Sequence, residues 1–133
     1  MHNFPIKKGF TLIELMVVLA IMGTAFALVG PNIMKSYDKV KAQSEVKELT
    51  EILKKISYKA FINGRSVDVS FNQNHIQYKY TDSQKTNKVS FNFIGFPEQD
   101  LNFTSAGFTN INNLTLYYNG NEHLLSLDEI NDL

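Results

Sequence analysis

Near the start of the chain runs a stretch of twenty almost wholly apolar residues, Phe10 to Val29, interrupted by one carboxylate, Glu14. As a helix rising about 1.5 Å per residue, such a stretch crosses a hydrocarbon core of roughly 30 Å. This element therefore dominates what the chain can become. Lys7 and Lys8 stand just before it with no acid to balance them. The positive-inside rule keeps residues 1–9 in the cytoplasm and sends the C-terminus across the membrane. Glu14 is the odd member: a carboxylate at mid-helix costs about 2.5–3.5 kcal/mol on insertion scales, less near an end.

Three readings compete for this segment. A secretory signal peptide would use Ala25-Phe26-Ala27 as its cleavage site. The long apolar stretch before that site, with Glu14 inside it, argues against this reading. A plain single-pass anchor explains the length but neither Glu14 nor the glycine between the lysines and the run. The third reading rests on Lys7-Lys8-Gly9-Phe10-Thr11-Leu12-Ile13-Glu14-Leu15. This run resembles the prepilin motif of type IV pilins and type II secretion pseudopilins.

That resemblance implies a set of roles. Lys7, Lys8 and Gly9 would be read by a prepilin peptidase that cuts after Gly9. Phe10 would become the N-methylated first residue. Phe10 and Glu14 would align subunits, the new amine facing the carboxylate in the same chain or a neighbour. A free amine is the cation that an intramembrane carboxylate needs if it is to stay charged. Pro31 falls where the family commonly has a proline. The implied partners are other pilin or pseudopilin subunits, the peptidase and an inner-membrane assembly platform. The implied location is the bacterial inner membrane, single-pass, with the C-terminal part in the periplasm and later in an envelope filament. Ile62–Val67 and Phe103–Gly107 loosely resemble H-type minor pseudopilins. The final strand lacks the glycine-arginine expected there.

The residues after the run predict a long helix. Gly30 and Pro31 interrupt it, because proline lacks an N–H and clashes with the preceding turn. A kink or locally melted turn is expected there. Beyond it, Ile33, Tyr37 and Val40 recur with helical spacing, as do Leu49, Leu53, Ile56 and Ala60, with Val46 and Ile52 widening the stripe. Glu51 and Lys55 form an i,i+4 pair. Asn63-Gly64 reads as the stop. The expected helix runs from Phe10 to Ile62, and its second half offers an apolar stripe to a sheet.

The remainder alternates like half-buried strands: Val67–Phe71, Ile76–Tyr80, Val89–Phe93, Leu101–Phe103, Leu114–Tyr118 and His123–Leu127. Asn119-Gly120 marks a hairpin. The fold class predicted is α+β, a long N-terminal hydrophobic helix packed on a small antiparallel sheet. The segments are a leader at 1–9, a membrane or filament-core helix at 10–29, its amphipathic continuation at 30–64, and a sheet-bearing part at 65–133. That last part is small and has no cysteine to staple it. Its core must draw on the helix or on neighbouring subunits.

Chemistry is not written in this sequence. Lys and Arg number 13 and Asp and Glu number 13, so no basic surface for nucleic acid is evident. His2 belongs to the leader, and His75 and His123 stand apart from any acid or cysteine at ligand spacing. No metal, cofactor or catalytic residue is expected, and the chain is read as a substrate of enzymes and not itself one. Asp128, Glu129 and Asp132 read as a solvated tail. The function implied is a minor pilin or pseudopilin, most naturally of a type II secretion pseudopilus. The alternatives are a minor pilin serving adhesion, motility or DNA uptake, and a membrane-anchored module whose sheet binds a ligand.

Overall fold

The structure, a computed structural model, describes residues 3–132. Met1, Leu133 and the leader histidine His2 lie outside the described residues. The element order is α1 (Leu12–Asn63), β1 (Val67–Gln73), β2 (His75–Tyr80), β3 (Thr86–Ser90), β4 (Phe96–Phe103), β5 (Asn113–Tyr118), β6 (Asn121–Ser126) and α2 (Asp128–Asn131). Two compact units follow, one ending at Tyr37 and one beginning at Asp38.

In the first unit, α1 begins at Leu12 and stays helical through Gly30 and Pro31. The expected start at Phe10 is therefore two residues early, and the melted turn expected at Pro31 does not occur. Pro31 simply has no N–H to offer the carbonyl of Ala27, and one missing bond leaves the neighbouring turns helical. The side chains of this stretch are exposed, Leu12 and Phe26 by 79% and 76%. The helix is long and apolar enough to cross a membrane.

The second unit is an α+β arrangement. A four-stranded antiparallel sheet has the order β3-β2-β1-β4, and β5 and β6 form a separate hairpin. A bridge between Gly95 and Tyr117 ties the two sheets. Leu49, Leu53, Ile56 and Ala60 of α1 are fully buried, and they share one core with Val67, Val69, Phe71, Ile76, Leu101 and Phe103. The predicted stripe is thus real, but only its later part joins the core. Ile33, Tyr37 and Val40 remain more than half exposed. Helix and sheet each bury one face, and neither could do so alone at this size. Phe96 meets Phe71 and Phe91 edge-on, with ring centroids 5.2 and 5.8 Å apart.

Local chemistry sets the ends of these elements. Gly64 takes φ +61°. Its N–H donates to the Phe61 carbonyl at 3.2 Å, and the Arg65 N–H donates to that of Ala60 at 3.0 Å. This pair of bonds is a Schellman cap, and glycine reaches that backbone region without steric penalty. Asn119 and Gly120 both have positive φ and close the β5–β6 hairpin.

Two strand expectations need correction. β3 ends at Ser90, so Phe91 and Phe93 lie in a loop and not in a strand. Conversely β4 starts at Phe96, well before Leu101. The acidic tail is also not wholly free. It forms α2, buries Ile130, and brings Glu129 to 3.5 Å from Lys54.

Candidate functional site

The residues singled out by the sequence lie together at the entry to α1. Lys7, Lys8, Gly9 and Phe10 are exposed and non-helical. No atom outside Gly9's chain neighbours lies within 4 Å of where a side chain would project from it. Thr11 precedes the first helical residue and acts as the N-cap. Its hydroxyl accepts the Glu14 N–H at 3.2 Å, while the Glu14 carboxylate accepts the Thr11 N–H at 2.9 Å. This reciprocal capping box satisfies two of the donors that any helix start leaves open. The negative charge also sits at the positive end of the helix dipole.

The sequence reading missed this role. The expectations for Glu14, an amine partner at Phe10 one helical turn away or a neutral carboxyl near the membrane edge, do not include capping. The signal was present as Thr11-x-x-Glu14 before an apolar run. In the described chain the carboxylate is held at the backbone of Thr11, the residue next to Phe10. Gly30 and Pro31 lie farther along α1, away from this cluster in sequence.

The second unit carries another carboxylate with a defined job. Glu45 of α1 accepts three consecutive backbone N–H groups, from Asn92 at 2.8 Å, Phe93 at 2.7 Å and Ile94 at 3.1 Å. β3 stops at Ser90 because its partner runs out: Ser90 pairs with His75, the first residue of β2, and the Phe91 N–H donates to the Asn74 carbonyl in the β1–β2 turn at 2.7 Å. Beyond it, Asn92, Phe93 and Ile94 are held by Glu45. Their N–H groups turn to the helix and not to β2. Ser57, buried in the same helix, donates to the Gly107 carbonyl at 2.8 Å.

A groove of about 210 Å³ opens between α1 and the sheet, lined by Ile52, Lys55, Lys59, Tyr78, Tyr80 and Val89 among others. Burial raises the Tyr80 phenol above its usual 10.0, with the nearby Tyr78 adding to the effect. Its hydroxyl therefore stays protonated and able to donate. His123 stacks on Tyr118 at 3.7 Å, which gives it a packing role in the hairpin.

Comparison with known proteins adds to this geometry. Residues 5–30 match the family described as the prokaryotic N-terminal methylation motif. The chain is similar to type II secretion system core protein G of Klebsiella michiganensis, 44% identical over 46 residues, which are 35% of this chain and 32% of that protein. It is also similar to the core protein G of Dickeya chrysanthemi, 34% identical over 59 residues, 44% of this chain and 39% of that one. The Escherichia coli core protein G is 39% identical over 46 residues, 35% of this chain and 32% of its own length. The chain spans about a third of the length of the curated relatives it matches. These relatives are core proteins, whereas the loose resemblance at Ile62–Val67 pointed to H-type minor subunits. No solved structure matches the chain.

Proposed function

We propose that this chain, whose N-terminal motif and relatives support the type IV pilin and pseudopilin family, is a structural subunit of a type IV pilus-like filament, of the type II secretion kind. The observation that carries this reading is one juxtaposition. A lysine pair and Gly9-Phe10 lie in an accessible segment, directly before a capped, exposed apolar helix.

In this reading the peptidase recognises Lys7, Lys8 and Gly9 and cuts between Gly9 and Phe10. Phe10 is then N-methylated. Cleavage creates a cation one residue from Thr11, whose N–H already holds the Glu14 carboxylate. Little rearrangement is needed for Glu14 to meet an amine, in its own chain or the next. The exposed face of residues 10–29 first sits in the inner membrane and then packs against other subunits. An assembly platform draws the subunit out. Gly30 and Pro31 are where the helix bends on packing, since the Ala27 carbonyl lacks an intrahelical donor. The globular unit lies on the periplasmic side, as Lys7 and Lys8 before the apolar run favour. The chain performs no catalysis of its own.

Sequencing the N-terminus of the protein purified from its native membrane tests the processing. The expected first residue is a methylated Phe10. A chain starting at Leu28, as a signal-peptidase cut would leave it, would overturn the reading. Glu14→Ala separates assembly from insertion. The variant should still fractionate with the membrane, since it gains apolar character, yet should be lost from sheared filaments. Filament yield equal to the unaltered chain would remove Glu14 from any aligning role.

A further inference from the structure

β3 is the outer strand of its sheet, and among the described residues no strand pairs with its far side. Such an edge presents unpaired N–H and C=O groups that a further strand can use. Val89 of β3 also lines the groove between α1 and the sheet. Lys55 and Lys59 line it from the helix and Tyr78 and Tyr80 from β2. Neither lysine has an ion-pair partner among the described residues, and neither phenol has a hydrogen-bond partner there.

The charge around this edge is one-sided. β3 contains Lys88 and no acid, and Lys85 precedes it. Lys79 pairs with Thr86 in register, on the sheet face opposite the groove with Lys88. Of the nearby acids, Asp82 is already bound to Arg65 at 3.1 Å, and Asp68 is on β1 and accepts from Asn102. Glu48 and Glu51 are exposed on α1 one turn before Ile52 and Lys55; neither lines the groove and neither forms an ion pair among the described residues, so the cationic side chains are the ones inside it.

A strand added to β3 would alternate its side chains between the two sheet faces. On the groove face they would meet Lys55, Lys59 and the two phenol donors. On the other face they would meet Lys88 and Lys79. Edge lysines alone commonly serve to keep strands from pairing. Here they coincide with unpartnered donors in a groove beside the same edge, which suits carboxylates. We propose that β3 and this groove together dock an extended acidic polypeptide segment by strand addition. The proposal does not depend on the filament reading.

The test uses the full-length chain in neutral detergent and a short capped peptide of alternating Glu and Val, with Gln and Lys versions as comparators. Fluorescence anisotropy gives affinity, and amide hydrogen exchange locates the contact. The Glu peptide should bind, weaken as salt rises, and slow exchange within Thr86–Ser90. Lys55→Gln with Lys59→Gln should weaken it about tenfold, the loss of two partly screened charge pairs. Both positions are exposed, so the fold should be retained. Lys55→Glu with Lys59→Glu should transfer preference to the Lys peptide, a gain that misfolding could not produce. The proposal fails if the Glu peptide does not bind, if the Gln peptide binds as tightly, if the charge-reversed variant shows no switch, or if protection appears away from β3.

Discussion

Replacing Gly9 by Val should leave the chain uncut, accumulating in the membrane at its full length with Lys7 and Lys8 still attached. The folded chain has no need of a glycine at this position. Gly9 precedes α1 and lies in a non-helical segment. A side chain projecting from it would meet open space. Exposed substitutions of this sort change stability by roughly half a kcal/mol or less. Under the proposed function, any effect of valine therefore falls on the peptidase proposed to take the Gly9–Phe10 bond into its own site. A branched side chain there obstructs the close backbone approach that glycine permits. Gel mobility and intact mass read the outcome. A Gly9→Val chain that migrates with the processed form would show that cleavage, if it occurs, is not read at this residue.

The second large effect is expected at Glu45. Glu45→Ala should lower the stability of the globular unit by about 2–3 kcal/mol, seen as a melting point lower by roughly 10 °C. Its carboxylate makes three charge-assisted bonds, to Asn92, Phe93 and Ile94. Each would carry more than a neutral bond. Part of that is recovered when water reaches the loop, since Asn92 is exposed and Phe93 half-buried. The remainder is real because Phe91 and Ile94 are buried and pull their backbone inward with them. Glu45→Gln should lose about half as much, since an amide keeps one accepting oxygen and surrenders the charge. Thermal unfolding of the full-length protein followed by tyrosine circular dichroism measures both. An alanine variant that melts with the native protein would mean solvent replaces the carboxylate at no cost.

Glu14 and Glu45 differ in how they could be found. The partner of Glu14 is three residues away, and the Thr11–Glu14 spacing before an apolar run is itself a helix-start signal. The partners of Glu45 are 47 to 49 residues away, and nothing in the local pattern marks it. The alternation of Val89, Phe91 and Phe93 points to a continuing strand. It fails after Ser90 because β2 begins at His75 and offers no strand to pair with, and the donors from Asn92 onward go to a helix carboxylate. Strand periodicity records which side chains are buried, and Phe91 is buried, but it does not record where the N–H groups turn.

The groove beside β3 was likewise out of reach. The spacing of Glu51 and Lys55 suggested an i,i+4 pair that does not form among the described residues, and Tyr78 and Tyr80 read as ordinary core aromatics. Their convergence needs α1 to pack across the β2–β3 end of the sheet, and no local signal specifies how the helix docks.

What the sequence determined by itself is whatever depends on neighbours within a few turns or on composition over a span. The apolar run of residues 10–29, the Thr11–Glu14 capping box, the helix stop at Asn63-Gly64 and the Asn119-Gly120 turn belong here, because the forces behind them are local backbone sterics, local hydrogen bonds and transfer from water. Tertiary structure alone decided which half of the helix stripe is buried, where β3 ends, and that Lys55 and Lys59 have no ion-pair partner among the described residues. Those outcomes follow from contacts between segments far apart in the chain, where burial and hydrogen-bond competition are settled only once the sheet has closed on the helix.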